Sequence, residues 1–104
     1  MHAMLITFTS AADLADLKRP FTDYANGLRT IEGLVYKTWI RDGQTLGGFH
    51  VFTSRAAAER YLASEMVAGL TGTPGFSDFE IRHWEVLDEL SAINRTPQLA
   101  GASA

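Results

Sequence analysis

The chain has 104 residues, and its 9 Lys plus Arg against 12 Asp plus Glu give a formal charge of −3. With 46% hydrophobic and 20% charged residues it reads as one small globular domain, burying roughly 65% of its unfolded surface and so carrying a core with little margin. The mild negative charge without a Lys/Arg cluster argues against a nucleic-acid partner. The absence of cysteine rules out disulfide scaffolds, thiol catalysis and thiolate metal sites, and fits a reducing, cytoplasmic location. The opening MHAMLITFTSAAD has neither a basic leader nor a long apolar run, so no membrane contact is expected.

Residues 3–9 (AMLITFT) are apolar on both faces, which predicts a central strand. Ser10 is the predicted N-cap of a helix over 12–30, whose inward stripe is Leu14, Leu17, Phe21, Tyr24, Leu28 and Ile31. Pro20 predicts a kink there, or a break into two helices. After Gly33, residues 34–41 alternate as a strand. Asp42-Gly43 is a hairpin signal, and 46–53 form the partner strand. A two-residue Asp-Gly loop places Trp39 opposite Leu46, Lys37 opposite Gly48, Val35 opposite His50 and Tyr36 opposite Phe49. Lys37, Trp39, His50 and Phe52 then share one sheet face.

Ser54 is the predicted cap of one helix, RAAAERYLASEMVAGL, with Ala57, Ala58, Tyr61, Leu62 and Met66 inward. Residues 78–87 alternate as a last strand, with Phe79, Ile81 and His83 on one face. DELSAIN adds a final helical turn that buries Leu90 and Ile93. The expected domain is 1–96, with 97–104 a frayed tail. The order β-α-β-β-α-β is the ferredoxin-like, α+β arrangement, an antiparallel sheet with both helices on one face. The other face would carry Leu34, Tyr36, Ile40, Phe49 and Val51. The simplest cover for it is the same face of a second copy, so a homodimer is expected.

GLVYKTWIRDG, then GGFHVFTS and AAAERYL, with ELSAINR near the end, resembles the YdhR-type monooxygenase family. That family belongs to the dimeric α+β barrels, related to the antibiotic-biosynthesis monooxygenases. The resemblance runs over about residues 3–95. It departs from the pattern in a short RDGQT loop and in His50, where another aromatic is expected. It implies a pocket between sheet and helices. It also implies oxidation of a small aromatic or quinol-like metabolite by O₂, with no cofactor.

The residues support a matching chemistry. Trp39 offers a stacking wall and an N–H donor. His50 could take a phenolic proton, and Lys37 could stabilise the phenolate that forms. These two are the candidate catalytic residues. Trp39, Tyr24, Tyr61, Phe52 and His83 are the candidate substrate-binding residues. The structural alternative is that Trp39 is core, Lys37 runs to an edge and His50 is a satisfied interior group. No metal is expected: the strands of His50 and His83 lie two spacings apart, and His2 reads as a mobile terminus. Gly47-Gly48 does not open a helix, so it is not a phosphate loop; it leaves room above the sheet. Two further readings share this fold. One is a non-catalytic dimer binding a small apolar ligand. The other is different barrel chemistry, such as haem degradation with His50 or His83 as axial ligand, a lyase or an isomerase.

Overall fold

The computed structural model describes residues 1–94. Strand β1 (His2–Ser10) is followed by α1 (Leu14–Leu28), β2 (Leu34–Asp42), β3 (Thr45–Phe52), α2 (Arg55–Leu62), α3 (Glu65–Thr71) and β4 (Phe76–Glu85). Residues 88–94 are again helical. The four strands form one antiparallel sheet in the order β2-β3-β1-β4. This is the ferredoxin-like fold, with β1 central as its two apolar faces require. The expected tail, 97–104, lies outside the described residues.

The core lies between the sheet and the helices. Met4, Ile6, Leu28, Phe52, Ala57, Ala58, Tyr61 and Val67 form one buried cluster. Phe8, Leu17 and Leu46 form a second, to which Phe21, Phe76 and Phe79 are added. Inward Ala57, Ala58 and Tyr61 follow from helical spacing.

Several local expectations change. The N-cap of α1 is Asp13, not Ser10. Ser10 stays in β1, buried, with its hydroxyl accepting from the Ala12 N–H. Helix α1 runs continuously through Pro20, which lies on its exposed side. The predicted single second helix is two, because the Ser64 hydroxyl caps a new start by accepting from Val67 N–H and itself donates to the Tyr61 carbonyl. His2 is no loose end: it is 7% exposed, and its Nε2 lies 2.8 Å from His83 Nδ1. Leu90 and Ile93 are 64% and 78% exposed, not buried.

The β2–β3 turn is Gly43-Gln44, not Asp42-Gly43. Asp42 pairs with Thr45, and Gly43 alone of the two has a positive φ, +58°. A glycine at the first central position is the signature of a type II′ hairpin. Every predicted pair therefore moves by two residues, and a shift of two preserves the faces. A bulge at Val35 then turns Leu34 to the helix side, where it packs on the core instead of lying on the outer face. Tyr36 and Ile40 remain on the outer side, 38% and 39% exposed, while Val51 is 2% exposed.

Gly47 of β3 pairs with Thr7 of β1. A Cβ there would lie 2.0 Å from the Ile6 carbonyl oxygen, and paired backbone cannot yield. Gly47→Ala is expected to lower stability by about 3 kcal/mol or more in urea unfolding. Gly69→Ala, in α3 with nothing within 4 Å of its Cβ, should be neutral or stabilising. Equal effects of the two would contradict the packing described.

Candidate active site

The hairpin β2–β3 delivers the polar groups. Lys37 pairs with His50 and Trp39 with Gly48, all four on the helix side of the sheet. A Cβ on Gly48 would lie 2.3 Å from Lys37 Cε, 3.3 Å from its Nζ and 3.0 Å from His50 Cε1. The missing side chain is thus the slot in which Lys37 bends over the sheet beside the imidazole. Its Nζ sits 3.6 Å from the centroid of the Trp39 ring and 5.0 Å from that of Tyr24. Cation–π attraction of this kind contributes about 0.5–2 kcal/mol, more as water is removed.

No carboxylate pairs with Lys37 among the described residues. Burial lowers its pKa to about 8, so at neutral pH the ammonium persists but is held weakly. His50 is 1% exposed. Its Nδ1 lies 3.1 Å from the Met4 carbonyl, which can only accept, so Nδ1 carries the proton. Nε2 is then the unprotonated nitrogen, and it is buried with no hydrogen-bond partner among the described residues. Its pKa falls to about 4, first through burial and then through the Lys37 charge, with the Met4 and Gly48 carbonyls opposing.

Helices α1 and α2 bring two tyrosines to the same place. The hydroxyls of Tyr24 and Tyr61 are 2.5 Å apart. Burial raises the pKa of Tyr24, and burial together with the Tyr24 contact raises that of Tyr61. Both stay neutral hydroxyls, able to donate. Tyr61 also packs 5.6 Å from the His50 ring, centroid to centroid, while Trp39 meets Tyr24 edge-on at 6.1 Å.

Lys37, Trp39, Gly48, His50, Tyr24 and Tyr61 line one small void of about 10 Å³, the size of a single water. Phe8, Trp39 and Gly47 also line a larger cleft of about 610 Å³ between α1 and β2. Phe21 on α1 packs against Trp39 at 4.9 Å between centroids, the rings tilted by 36°, and forms part of the cleft wall. Two of the residues singled out from sequence stand elsewhere. Phe52 is fully buried behind His50 and Tyr61, in the core. His83 is on β4, joined to His2, because β1 separates its strand from β3. Gly48 and Phe21 carry no chemistry of their own in the sequence. The glycine pair and the helical stripe were their only signals. Among the described residues no group of three or more His, Asp or Glu could hold a metal ion.

The arrangement can accept a proton at Nε2 and hold a negative charge at Nζ. The depressed His50 pKa also fixes a sign for stability. The unfolded chain binds this proton near ~6.5 and the folded chain only near about 4, so folding stability is complete above ~6.5 and is lost as pH falls. Between pH 7 and pH 4.5 the loss should be on the order of 2–3 kcal/mol, and smaller in His50→Phe. Urea midpoints at the two pH values measure it. The same pH loss in both proteins would remove His50 as its source.

The family model described as "Putative mono-oxygenase ydhR" matches residues 4–97. A search of curated protein sequences gives no match. Among solved structures, SnoaB from Streptomyces nogalater, a cofactor-independent oxygenase, superposes with a TM-score of 0.66 at 20% identity, over 82% of this chain and 91% of that one. A structure described as an antibiotic biosynthesis monooxygenase gives 0.69 at 13% identity, over 84% and 99%. A mutant of MhuD with two manganese protoporphyrin IX bound per active site gives 0.65 at 13% identity, over 84% and 95%. At these identities the likeness is one of fold, and the fold serves more than one chemistry. The match over nearly the whole sequence is what assigns the chain: it belongs to the ydhR mono-oxygenase family.

Proposed function

We propose that this chain is a cofactor-independent monooxygenase that oxidises a small aromatic, quinol-like metabolite with O₂ in the cleft between α1 and the sheet. One observation carries the reading. Among the described residues, an unprotonated imidazole nitrogen without a hydrogen-bond partner lies beside an ammonium without a counter-ion, behind an aromatic-walled cleft of ring-accommodating size. The substrate ring stacks against Phe21 and Trp39, and its hydroxyl reaches over Gly47 towards His50 and Lys37. His50 Nε2 takes the phenolic proton, and Lys37 holds the phenolate oxygen. Tyr24 or Tyr61 can donate a hydrogen bond to the same oxygen.

Removing the proton raises the energy of the ring electrons until one passes to O₂. The substrate radical and superoxide combine at the activated carbon to a peroxide, and loss of water leaves a carbonyl. For a ring methylene conjugated to the phenolate, CH₂ plus O₂ becomes C=O plus H₂O. The substrate supplies all four electrons, one oxygen atom enters the product and the other leaves as water. His50 is a weak base while the cleft is empty. A phenolate in place of bulk apolar surroundings raises its proton affinity, because the new anion stabilises imidazolium.

Family and fold neighbours support oxygenase chemistry, and the outer sheet face supports a dimer. Tyr36, Ile40 and Trp84 are exposed there, along with Leu87 and Leu90 from the segment after β4. A second copy covering this face leaves both clefts open, since they lie on the helix side.

With an anthrone and ¹⁸O₂, the product should carry one labelled oxygen. The kcat/KM profile should rise as His50 loses its proton near about 4 and fall as Lys37 loses its charge near about 8. His50→Phe should fold and lose roughly 10²-fold in turnover, the usual share of acid–base catalysis. Parental turnover in that variant removes His50 from the mechanism. Light scattering should give twice the 11.4 kDa chain mass, and Tyr36→Asp should shift it towards the single chain. A stable single chain at micromolar concentration contradicts the dimer.

A further inference from the structure

We propose that the cleft takes an aromatic substrate bearing a carboxylate, or a group of like charge and shape, whose anion is anchored at the mouth between Lys18 of α1 and Arg41 of β2. This deepens the functional reading above and rests on that cleft being the substrate site. The cleft wall is apolar over most of its area, from Phe8, Leu14, Phe21, Trp39 and Leu46. Its charged lining residues are Lys18 and Arg41, one from each bank, and no acidic side chain lines it.

That composition runs against the rest of the chain. The net charge is −3, with 12 acidic residues against 9 basic ones. Among the other exposed cations, Arg19 lies 3.9 Å from Asp23 and Arg55 lies 3.0 Å from Glu59, while Arg29, Arg60 and Arg82 make no ion pair among the described residues; what sets Lys18 and Arg41 apart is their place on the two banks of one apolar cleft. Lys18 and Arg41 make no ion pair among the described residues. Lys18 is exposed on α1, one turn before Thr22, which lines the same cleft. Arg41 is held by strand pairing to Leu46, at the end of the hairpin next to the cleft.

The geometry sets a polarity. Lys37, Trp39 and Arg41 follow one another at two-residue intervals on the helix side of β2, so the exposed Arg41 stands on one side of Trp39 and Lys37, with His50, on the other. A ligand with its anion outward and its hydroxyl inward satisfies both ends and buries its ring between them. A guanidinium suits a planar carboxylate because it offers parallel N–H donors. A neutral aromatic of equal size would fill the same apolar wall and leave both cations without a partner.

Binding tests this independently of turnover. Titrations of 2-naphthoate and 2-naphthylmethanol, followed by Trp39 fluorescence against a Trp84→Phe background and by NMR shifts, compare one ring with and without the charge. The carboxylate should bind about tenfold more tightly, the worth of one charge-assisted hydrogen bond. The advantage should vanish in Lys18→Gln/Arg41→Gln and persist in Arg55→Gln, a cation change far from the cleft. Equal binding of the two compounds overturns the proposal. So does a preference that survives the double substitution, or no binding of either by ~1 mM. Oxidation of neutral anthrones without a carboxylate preference leaves the oxygenase reading standing and removes the anchor. Binding of 2-naphthoate at the anchor, with no O₂ uptake from any hydroxylated naphthoate or anthrone, keeps the anchor and removes the oxygenase.

Discussion

The site is organised around one half-buried cation, Lys37, that has no carboxylate partner among the described residues. Lys37 enters the space between sheet and helices because Gly48 across the hairpin has no side chain, and its Nζ settles on the face of Trp39. From there its charge disfavours protonation of His50, already made costly by burial. The two groups are set in opposite states at neutral pH, ammonium beside neutral imidazole. A carboxylate partner for Lys37 would stabilise the empty protein and cancel the field. Its absence leaves a position where negative charge formed on a ligand is the missing counter-ion. Placing unsatisfied groups in the interior costs stability, and the small core limits how many a chain of this length can carry.

The helices complete the site rather than merely covering the sheet. Phe21 and Tyr24 are neighbouring members of one stripe on α1. The first packs against Trp39 at the cleft, and the second bonds Tyr61 at 2.5 Å behind it. Tyr61 is in turn packed on Phe52 and His50. A movement of α1 would therefore alter the cleft wall and the hydroxyl pair together. At the other edge of the sheet, His2 and His83 serve a different purpose, closing the start of β1 onto β4.

Much of this was legible in the sequence, for a definite reason. Strand faces repeat every two residues, so alternation together with a two-residue hairpin loop places Lys37, Trp39, His50 and Phe52 on one face. The turn expectation was off by one position at each end because Asp-Gly suggests a loop with both residues at positive φ, whereas the chain uses Gly43 first. The resulting shift of two kept every side chain on its face. What could not be read was whatever depends on backbone irregularity or on how one element lies across another. The bulge at Val35, which turns Leu34 inward, leaves no trace in an apolar pattern. Ser64 looks like one more residue of a helix until its hydroxyl is seen capping the next. His83 seemed a pocket residue because it shares the helix-side face, but β1 lies between it and β3. Lys18 and Arg41 are ordinary exposed cations until α1 is laid beside β2.

The central claim is that His50 Nε2 is the proton acceptor of the site. Ring-nitrogen NMR of His50, with and without 2-naphthol as a phenolic ligand, tests it most directly. The account expects a proton on Nδ1 and none on Nε2 down to about pH 4 in the empty protein. It also expects protonation of Nε2 at higher pH once the phenol is bound. A proton resident on Nε2 in the empty site, or a titration near ~6.5 that the phenol leaves unchanged, would contradict it.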